Sequence, residues 1–228
     1  MLRALPPLRE VSPLTSDSSQ PASPAELMAS TLSEADLDPN PHRQLECWLR
    51  EARAAEVDDW NAMTLATIDS EGGPAARIVL LKGLDERGIR FFTNYESDKG
   101  RQLTAEPRTA AVLFWPTLGR QIRVTGCATP LSSNESDEYY ASRPLESRLG
   151  AWASPQSRPL ASREELESTL EATRERFRNG APDRPPHWGG FLLEPTSFEF
   201  WKSRPFRLHD RFRFTRSGDA WVNQRLAP

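Results

Sequence analysis

Lysine is scarce in this 228-residue sequence: of 29 basic residues, only Lys82, Lys99 and Lys202 are not arginine. A chain that uses arginine wherever any cation suffices leaves its few lysines as candidates for places where a compact ammonium matters. Cysteine is scarcer still. Cys47 and Cys127 stand far apart with no C-x-x-C pair, so neither a disulfide framework nor a thiolate metal site is indicated. The histidines are His42, His187 and His209, too few to give metal or triad chemistry much to draw on. No apolar run approaches the roughly 18 residues of a membrane span, and the first residues lack the continuous apolar core of a secretory signal. A net charge of −3 gives no global reason to expect nucleic acid. There is no Gly-x-Gly-x-x-Gly, no Walker loop and no G-x-S-x-G. The expectation is a soluble, cytoplasmic protein with no metal, no membrane partner and no nucleic-acid partner.

The chain is long enough to bury a sizeable core. Residues 1–40 are rich in Pro, Ser and Ala, which predicts a mostly disordered leader; residues 41–228 read as one domain. Leu45, Trp48, Leu49 and Ala52 recur at helical spacing, predicting a helix from Pro41 to about Val57. Short β-type runs follow at 62–68, 75–82 and 89–93, the last two expected to form a hairpin across Gly83 to Gly88. Ser97 can cap a helix from Asp98 to about Ala105, which Pro107 ends. Strands are predicted at 109–115 and 120–131, and Ser-led capping boxes start helices after Ser132 and Ser162. Closing strands are predicted at 190–193, 197–201 and 207–214, the last pairing with 220–226. The fold class expected is α+β: a mostly antiparallel β-barrel with peripheral helices.

In the stretch Arg207-Leu208-His209-Asp210-Arg211, strand alternation would put Arg207, His209, Arg211 and Arg213 on one face. Such a face makes poor core and a good wall for an anion, because guanidinium offers a fixed fork of donors. Other clusters carry more polar function than a barrel wall requires. Arg77 and Lys82 bracket an apolar strand; Phe92-Thr93 ends a strand; Ser97-x-Lys99 opens a helix whose free N–H groups suit a phosphate. Gln121 could meet a heterocycle edge, Tyr139 and Arg143 lie four apart on one helix face, and Ser147 follows the break at Pro144. Trp152, Gln156 and Ser157 sit in a predicted loop.

In this order and spacing these clusters resemble the pyridoxine/pyridoxamine 5′-phosphate oxidase family over Arg77 to Pro228, about two-thirds of the chain. The matching motifs are R-x-V-L-L-K (77–82), F-[FY]-T-N (91–94), S-x-K (97–99), R-Q (120–121), Y-x-x-x-R-P-x-x-S (139–147), G-A-W-x-S-x-Q-S (150–157), W-G-G-F (188–191), F-E-F-W (198–201), R-L-H-D-R-F (207–212) and the R-L-A-P terminus. The resemblance implies a split β-barrel homodimer with FMN at the subunit interface, dioxygen as electron acceptor and a small phosphorylated pyridine as substrate. It implies FMN contacts from the Arg77-Ile78-Val79-Leu80-Leu81-Lys82 run, from Phe92, Thr93 and Lys99, and from Gln121, Gln156, Ser157, Trp201 and Arg211. Lys82, Tyr139, Arg143 and Ser147 would hold the substrate phosphate, while Arg207 and His209 would lie over the pyridine ring as the catalytic pair. One position departs: many members carry a basic residue where this chain has Asp98. Two rival readings remain, an FMN-dependent oxidase of a phenazine-type precursor and a non-catalytic flavin- or haem-binding module.

Overall fold

The computed structural model describes residues 23–228. Its first element, α1 (Pro24–Ala29), is a short helix begun by a reciprocal capping box between Ser23 and Glu26. α2 (Pro41–Ala54) starts where the Asn40 side chain accepts from the His42 N–H and Pro41 supplies a ready-set first φ. Its apolar stripe, Leu45, Trp48, Leu49 and Ala52, is buried, and the buried Arg120 guanidinium lies 4.5 Å over the Trp48 ring while pairing with Glu51. The strands and helices that follow are β1 (Ala62–Ile68), β2 (Pro74–Leu80), β3 (Gly83–Asp85), β4 (Gly88–Asn94), α3 (Asp98–Ala105), β5 (Arg108–Trp115) and β6 (Arg120–Pro130). Helices α4 (Ser133–Ser142), α5 (Leu145–Ala153) and α6 (Arg163–Arg176) precede β7 (Trp188–Lys202), β8 (Asp210–Ser217) and β9 (Ala220–Arg225).

All nine strands join one antiparallel sheet in the order β2-β1-β5-β6-β7-β4-β3, with β8 and then β9 added beside β7. The 15-residue β7 is the hub. Its first half pairs with β4, its second half with β8, and β6 runs along both. That fork curls the sheet around an interior of Met63, Leu65, Leu113, Ile122, Phe91, Phe191, Phe198, Phe200, Phe212 and Phe214, all buried. The result is a mostly antiparallel split β-barrel with helices at its periphery. Among the described residues no helix is long and apolar enough to cross a membrane.

Several sequence expectations change. Residues 23–40 are folded against the barrel, not disordered: Leu27 and Leu32 are buried, and Lys202 Nζ donates to the carbonyls of Leu27 and Met28 at 2.7 and 2.9 Å. Residues 1–22 of the predicted leader lie outside the described residues. The 75–82 run does not form a hairpin with 89–93, because β2 pairs with β1 and the connection itself supplies β3 as the partner of β4. The runs 190–193 and 197–201 are one strand. Pro195, which reads as a breaker, sits opposite Gly126 beside a register shift in β6, where the ladder is already interrupted. The 207–211 stretch is mostly not strand: Pro205–Arg207 is a 3-10 turn in which Phe206 and Arg207 take φ values of 58° and 60°. Strand alternation begins only at Asp210, so Leu208, which alternation from Arg207 would put on the face of Phe212, opposite the arginines, is 67% exposed. Pro144 starts α5 instead of breaking a chain, and α5 absorbs the first three residues, 151–153, of the predicted 151–157 loop. The last long helix ends at Arg176, short of Asn179-Gly180.

Candidate active site

One group of predicted residues gathers where β4, α4, α5 and the start of β7 meet. Lys82 follows β2, its backbone N–H donating to the Arg90 carbonyl at 2.8 Å. Tyr139 comes from the last turn of α4, Arg143 caps that helix, and Ser147 lies in the first turns of α5. Tyr139 stacks on Phe92 with ring centroids 3.8 Å apart, and the near-parallel Trp188 ring lies 5.6 Å from Phe92 and 6.2 Å from Tyr139. The Arg143 guanidinium sits 4.5 Å over Trp188, and its Nη1 is buried without a hydrogen-bond partner among the described residues. Arg143, Ser147, Asn94, Gln156 and Trp188 line a cavity of about 280 Å³. Burial pushes the Lys82 ammonium below its ordinary pKa, and the nearby Arg143 charge pushes it further. Burial likewise lowers Arg143 and raises the Tyr139 hydroxyl. Two cations held close, half out of water, form a hole for an anion.

A second cation pair lies at the N-terminus of α3. Arg77, on β2, donates from Nη1 to Thr67 Oγ1 at 2.5 Å and from Nη2 to Gln102 Oε1 at 2.9 Å. Lys99 Nζ donates to Gln156 Oε1 at 3.0 Å, and the same oxygen accepts from Thr93 Oγ1 at 3.2 Å. Burial lowers both cations, and the Arg77 charge lowers Lys99 further. Asp98 opposes that in both, yet its carboxylate turns to Arg101 Nη2 at 2.6 Å and stays largely exposed. The first turn of α3 needs Gly100, since a Cβ there would collide with the backbone oxygens of Asn94 and Tyr95. Ser157, next to Gln156, has φ 67° and an exposed side chain.

The other predicted residues lie on the outer face of β6, β7 and β8. Gln121, Trp201 and Arg211 are aligned across the three strands. Arg211 donates from Nε and Nη2 to Glu199 Oε1 at 2.9 and 2.8 Å and from Nη1 to the Ala227 carbonyl. His209 lies against Trp201 with ring centroids 4.6 Å apart, and its Nδ1 accepts the Arg204 backbone N–H at 3.1 Å. A neutral His209 ring therefore carries its proton on Nε2. Arg207 is exposed on the 3-10 turn. Among the described residues, no hydrogen bond, ring contact or cavity wall joins this group to the two cation pairs. Between them runs an apolar strip: Ile78 is 63% and Phe114 55% exposed, with Leu80 beside Ile78 on β2 and Phe114 opposite Gln121.

Sequence reasoning left four contributors unassigned. Trp188 supports Arg143, Thr67 and Gln102 hold Arg77, and the buried Glu199 holds Arg211. The W-G-G-F and F-E-F-W motifs carried a signal for Trp188 and Glu199. Thr67 and Gln102 carried none, since only folding brings them to Arg77.

Comparison with known proteins now bears on this arrangement. The family described as pyridoxamine 5′-phosphate oxidase matches residues 49–177, and the region described as pyridoxine 5′-phosphate oxidase C-terminal dimerisation region matches residues 188–228. The chain belongs to the pyridoxamine 5′-phosphate oxidase family. A pyridoxine/pyridoxamine 5′-phosphate oxidase 1 of Ralstonia nicotianae is 56% identical over 199 residues, covering 87% of this chain and 93% of that protein. A pyridoxine/pyridoxamine 5′-phosphate oxidase of a Cyanothece species is 51% identical over 198 residues, with the same two coverages. Among solved structures, PhzG from Burkholderia lata 383, in complex with tetrahydrophenazine-1-carboxylic acid, superposes with a TM-score of 0.83 at 33% identity, covering 88% of this chain and 100% of that one. Membership of the oxidase family makes the two cation pairs the first place to look for its ligands.

Proposed function

We propose that the chain is an FMN-dependent oxidase that converts pyridoxine 5′-phosphate and pyridoxamine 5′-phosphate to pyridoxal 5′-phosphate in the cytoplasm. The observation that carries this reading is the presence of two separate cation pairs, Lys82 with Arg143 and Arg77 with Lys99, all four lowered by burial and each lysine lowered further by its neighbouring arginine. Two such holes suit two phosphates, one on the cofactor and one on the substrate. Arg77, Lys99 and the first N–H groups of α3 would hold the FMN phosphate, with Thr93, Gln156 and Ser157 beside them and the 78–81 backbone along the ring system. Lys82, Tyr139, Arg143 and Ser147 would cage the substrate phosphate, and the orphaned Arg143 Nη1 gains an acceptor there. When bound, FMN supplies the two-electron sink for the substrate's exocyclic carbon, and dioxygen, reduced to hydrogen peroxide, takes those electrons on.

Among the described residues, Gln121, Trp201, Arg211, Arg207 and His209 lie apart from both cation pairs. We infer that a second copy brings them over the first copy's cages, the apolar strip of Ile78, Leu80 and Phe114 lying in the contact. Arg207 and His209 Nε2–H would then orient the pyridine ring, an effect that counts most in the transition state.

Steady-state kinetics on the purified protein test the reading. A charge-assisted hydrogen bond is worth about 1.5–3 kcal/mol, and two exceed the roughly 2.7 kcal/mol behind a 100-fold ratio. Pyridoxine is therefore expected to react at least about 100-fold less efficiently than its 5′-phosphate. Arg143→Leu should raise KM for the phosphorylated substrate and narrow that ratio, and Arg207→Ala should fall mainly on kcat. Comparable kcat/KM for the two substrates would refute the cage and favour a phenazine-type substrate, the class of molecule bound in the Burkholderia neighbour.

A further inference from the structure

Lys82 and Lys99 have places in the proposed site; Lys202 does not. It is the last residue of β7 and only 1% exposed. Its Nζ donates to three carbonyl oxygens: Leu27 at 2.7 Å, Met28 at 2.9 Å and Leu118 at 2.8 Å. Three acceptors match the three protons of an ammonium. Burial and the neighbouring Arg120 and Arg204 charges push it down to about 8, with Asp210 opposing. Burying a cation without a bonded carboxylate costs stability, and an apolar side chain would pack there more cheaply. Three hydrogen bonds to carbonyls are what offset that cost here.

What it fastens is the segment 27–33, and that segment has a second attachment. The Leu32 N–H donates to Asp210 Oδ2 at 3.2 Å, and the same carboxylate takes Arg225 at 3.0 Å and Arg204 at 3.5 Å. Lys202 and Asp210 are the two ends of the connection between β7 and β8, residues 203–209, which carries Arg207 and His209. Among the described residues that connection has few other anchors: Ser203 N–H on Gly119, the Arg204–His209 bond, the His209 ring against Trp201 and the turn at Pro205. Its middle, Phe206 to Leu208, is exposed and includes two positive φ values.

We propose that Lys202 is a positioning residue: by clasping residues 27 and 28 to the end of β7, it braces the 203–209 connection and so fixes Arg207 and His209 over the substrate ring. The strap of residues 27–33 thereby closes a frame whose other side is Asp210. The proposal rests on the oxidase reading for its kinetic part only.

The test is hydrogen exchange and kinetics on full-length, FMN-loaded Lys202→Met. Amide exchange within 203–209 should speed at least about tenfold. The kcat for pyridoxamine 5′-phosphate should fall about tenfold, with KM and the FMN dissociation constant each within about twofold of the parent. Should Lys202→Met fail to fold, Lys202→Gln, which keeps two donors, is read by the same measures, with smaller changes in the same direction. Unchanged exchange in 203–209 overturns the clasp whatever the activity, and loss of kcat together with FMN overturns the positioning role. If the unmodified protein oxidises no phosphorylated pyridine, the oxidase reading fails while the exchange measurement still decides the clasp.

Discussion

At the scale of single residues, Asp98 is the position where charge runs against the proposed ligand. Its carboxylate opposes the lowering of both Arg77 and Lys99 while bonding to Arg101. Any phosphate drawn to that cation pair meets a like charge at its edge. Asp98→Asn removes the charge and frees Arg101, so FMN binding to the apoprotein should tighten two- to fivefold, about 0.5–1 kcal/mol for an exposed site. Fluorescence titration reads this directly, and an unchanged or weaker dissociation constant would show that Asp98 lies outside the reach of the bound phosphate. Residue identities were the most legible layer of the site: lysine scarcity singled out Lys82 and Lys99, and helix spacing joined Tyr139 to Arg143. Lys202 drew the same attention without a role, because its three acceptors come from residues 27, 28 and 118, which no local pattern connects.

At the scale of elements, α3 shows how a glycine makes a ligand site possible. Ser97 is buried, accepts the Gly100 N–H at 3.3 Å and donates its hydroxyl to the Asn94 carbonyl at 2.6 Å, pulling the helix start onto β4. The close approach leaves no room for a Cβ at position 100. Gly100→Ala should cost about 1–3 kcal/mol in urea unfolding and weaken FMN binding as α3 backs away from Lys99 and Thr93; an unchanged unfolding midpoint would show that the helix accommodates the methyl freely. Helices with clear caps and apolar periods, α2, α3, α4 and α6, were readable from sequence to within a few residues. Three of the misreadings share one cause, which is that proline and glycine were taken at face value. Pro144 opened α5, Pro195 sat inside β7 at a bulge, and the Gly83–Gly88 connection held a strand of its own. Their meaning depends on which neighbour each strand has, and a single sequence does not state that.

At the scale of the molecule, a β-barrel with peripheral helices was legible from the number and spacing of strand runs and its split form from the family resemblance, whereas the fork at β7 and the strap of residues 23–40 were not. The strap's composition is polar, and only Leu27 and Leu32 betray it. The apolar strip on β2 and β5 matters at this scale too. If a second copy covers it, Phe114→Glu, at a position 55% exposed in one chain, should leave the fold intact, convert the dimer to a monomer in light scattering, and lose FMN in the same step. A monomer that keeps stoichiometric FMN would separate cofactor binding from assembly.

The three lysines have one more consequence. Lys202 is sealed by carbonyls, and Lys82 and Lys99 are half-buried beside the two anion holes, so almost no primary amine faces bulk water. Pyridoxal 5′-phosphate is an aldehyde, and aldehydes condense with free lysine amines into Schiff bases. An enzyme that makes such a product while displaying amines would tie it up on its own surface. Away from the two anion holes and the amino terminus, this arginine-clothed surface offers the aldehyde little to condense with, because guanidinium stays protonated and non-nucleophilic. Borohydride trapping of the FMN-loaded protein with excess pyridoxal 5′-phosphate, followed by peptide mass mapping, should find the label at the amino terminus and leave Lys202 unmodified. Rapid labelling of Lys202 would mean that its carbonyl seal opens readily. A lysine-poor exterior is, on this view, a way of letting go of a reactive product.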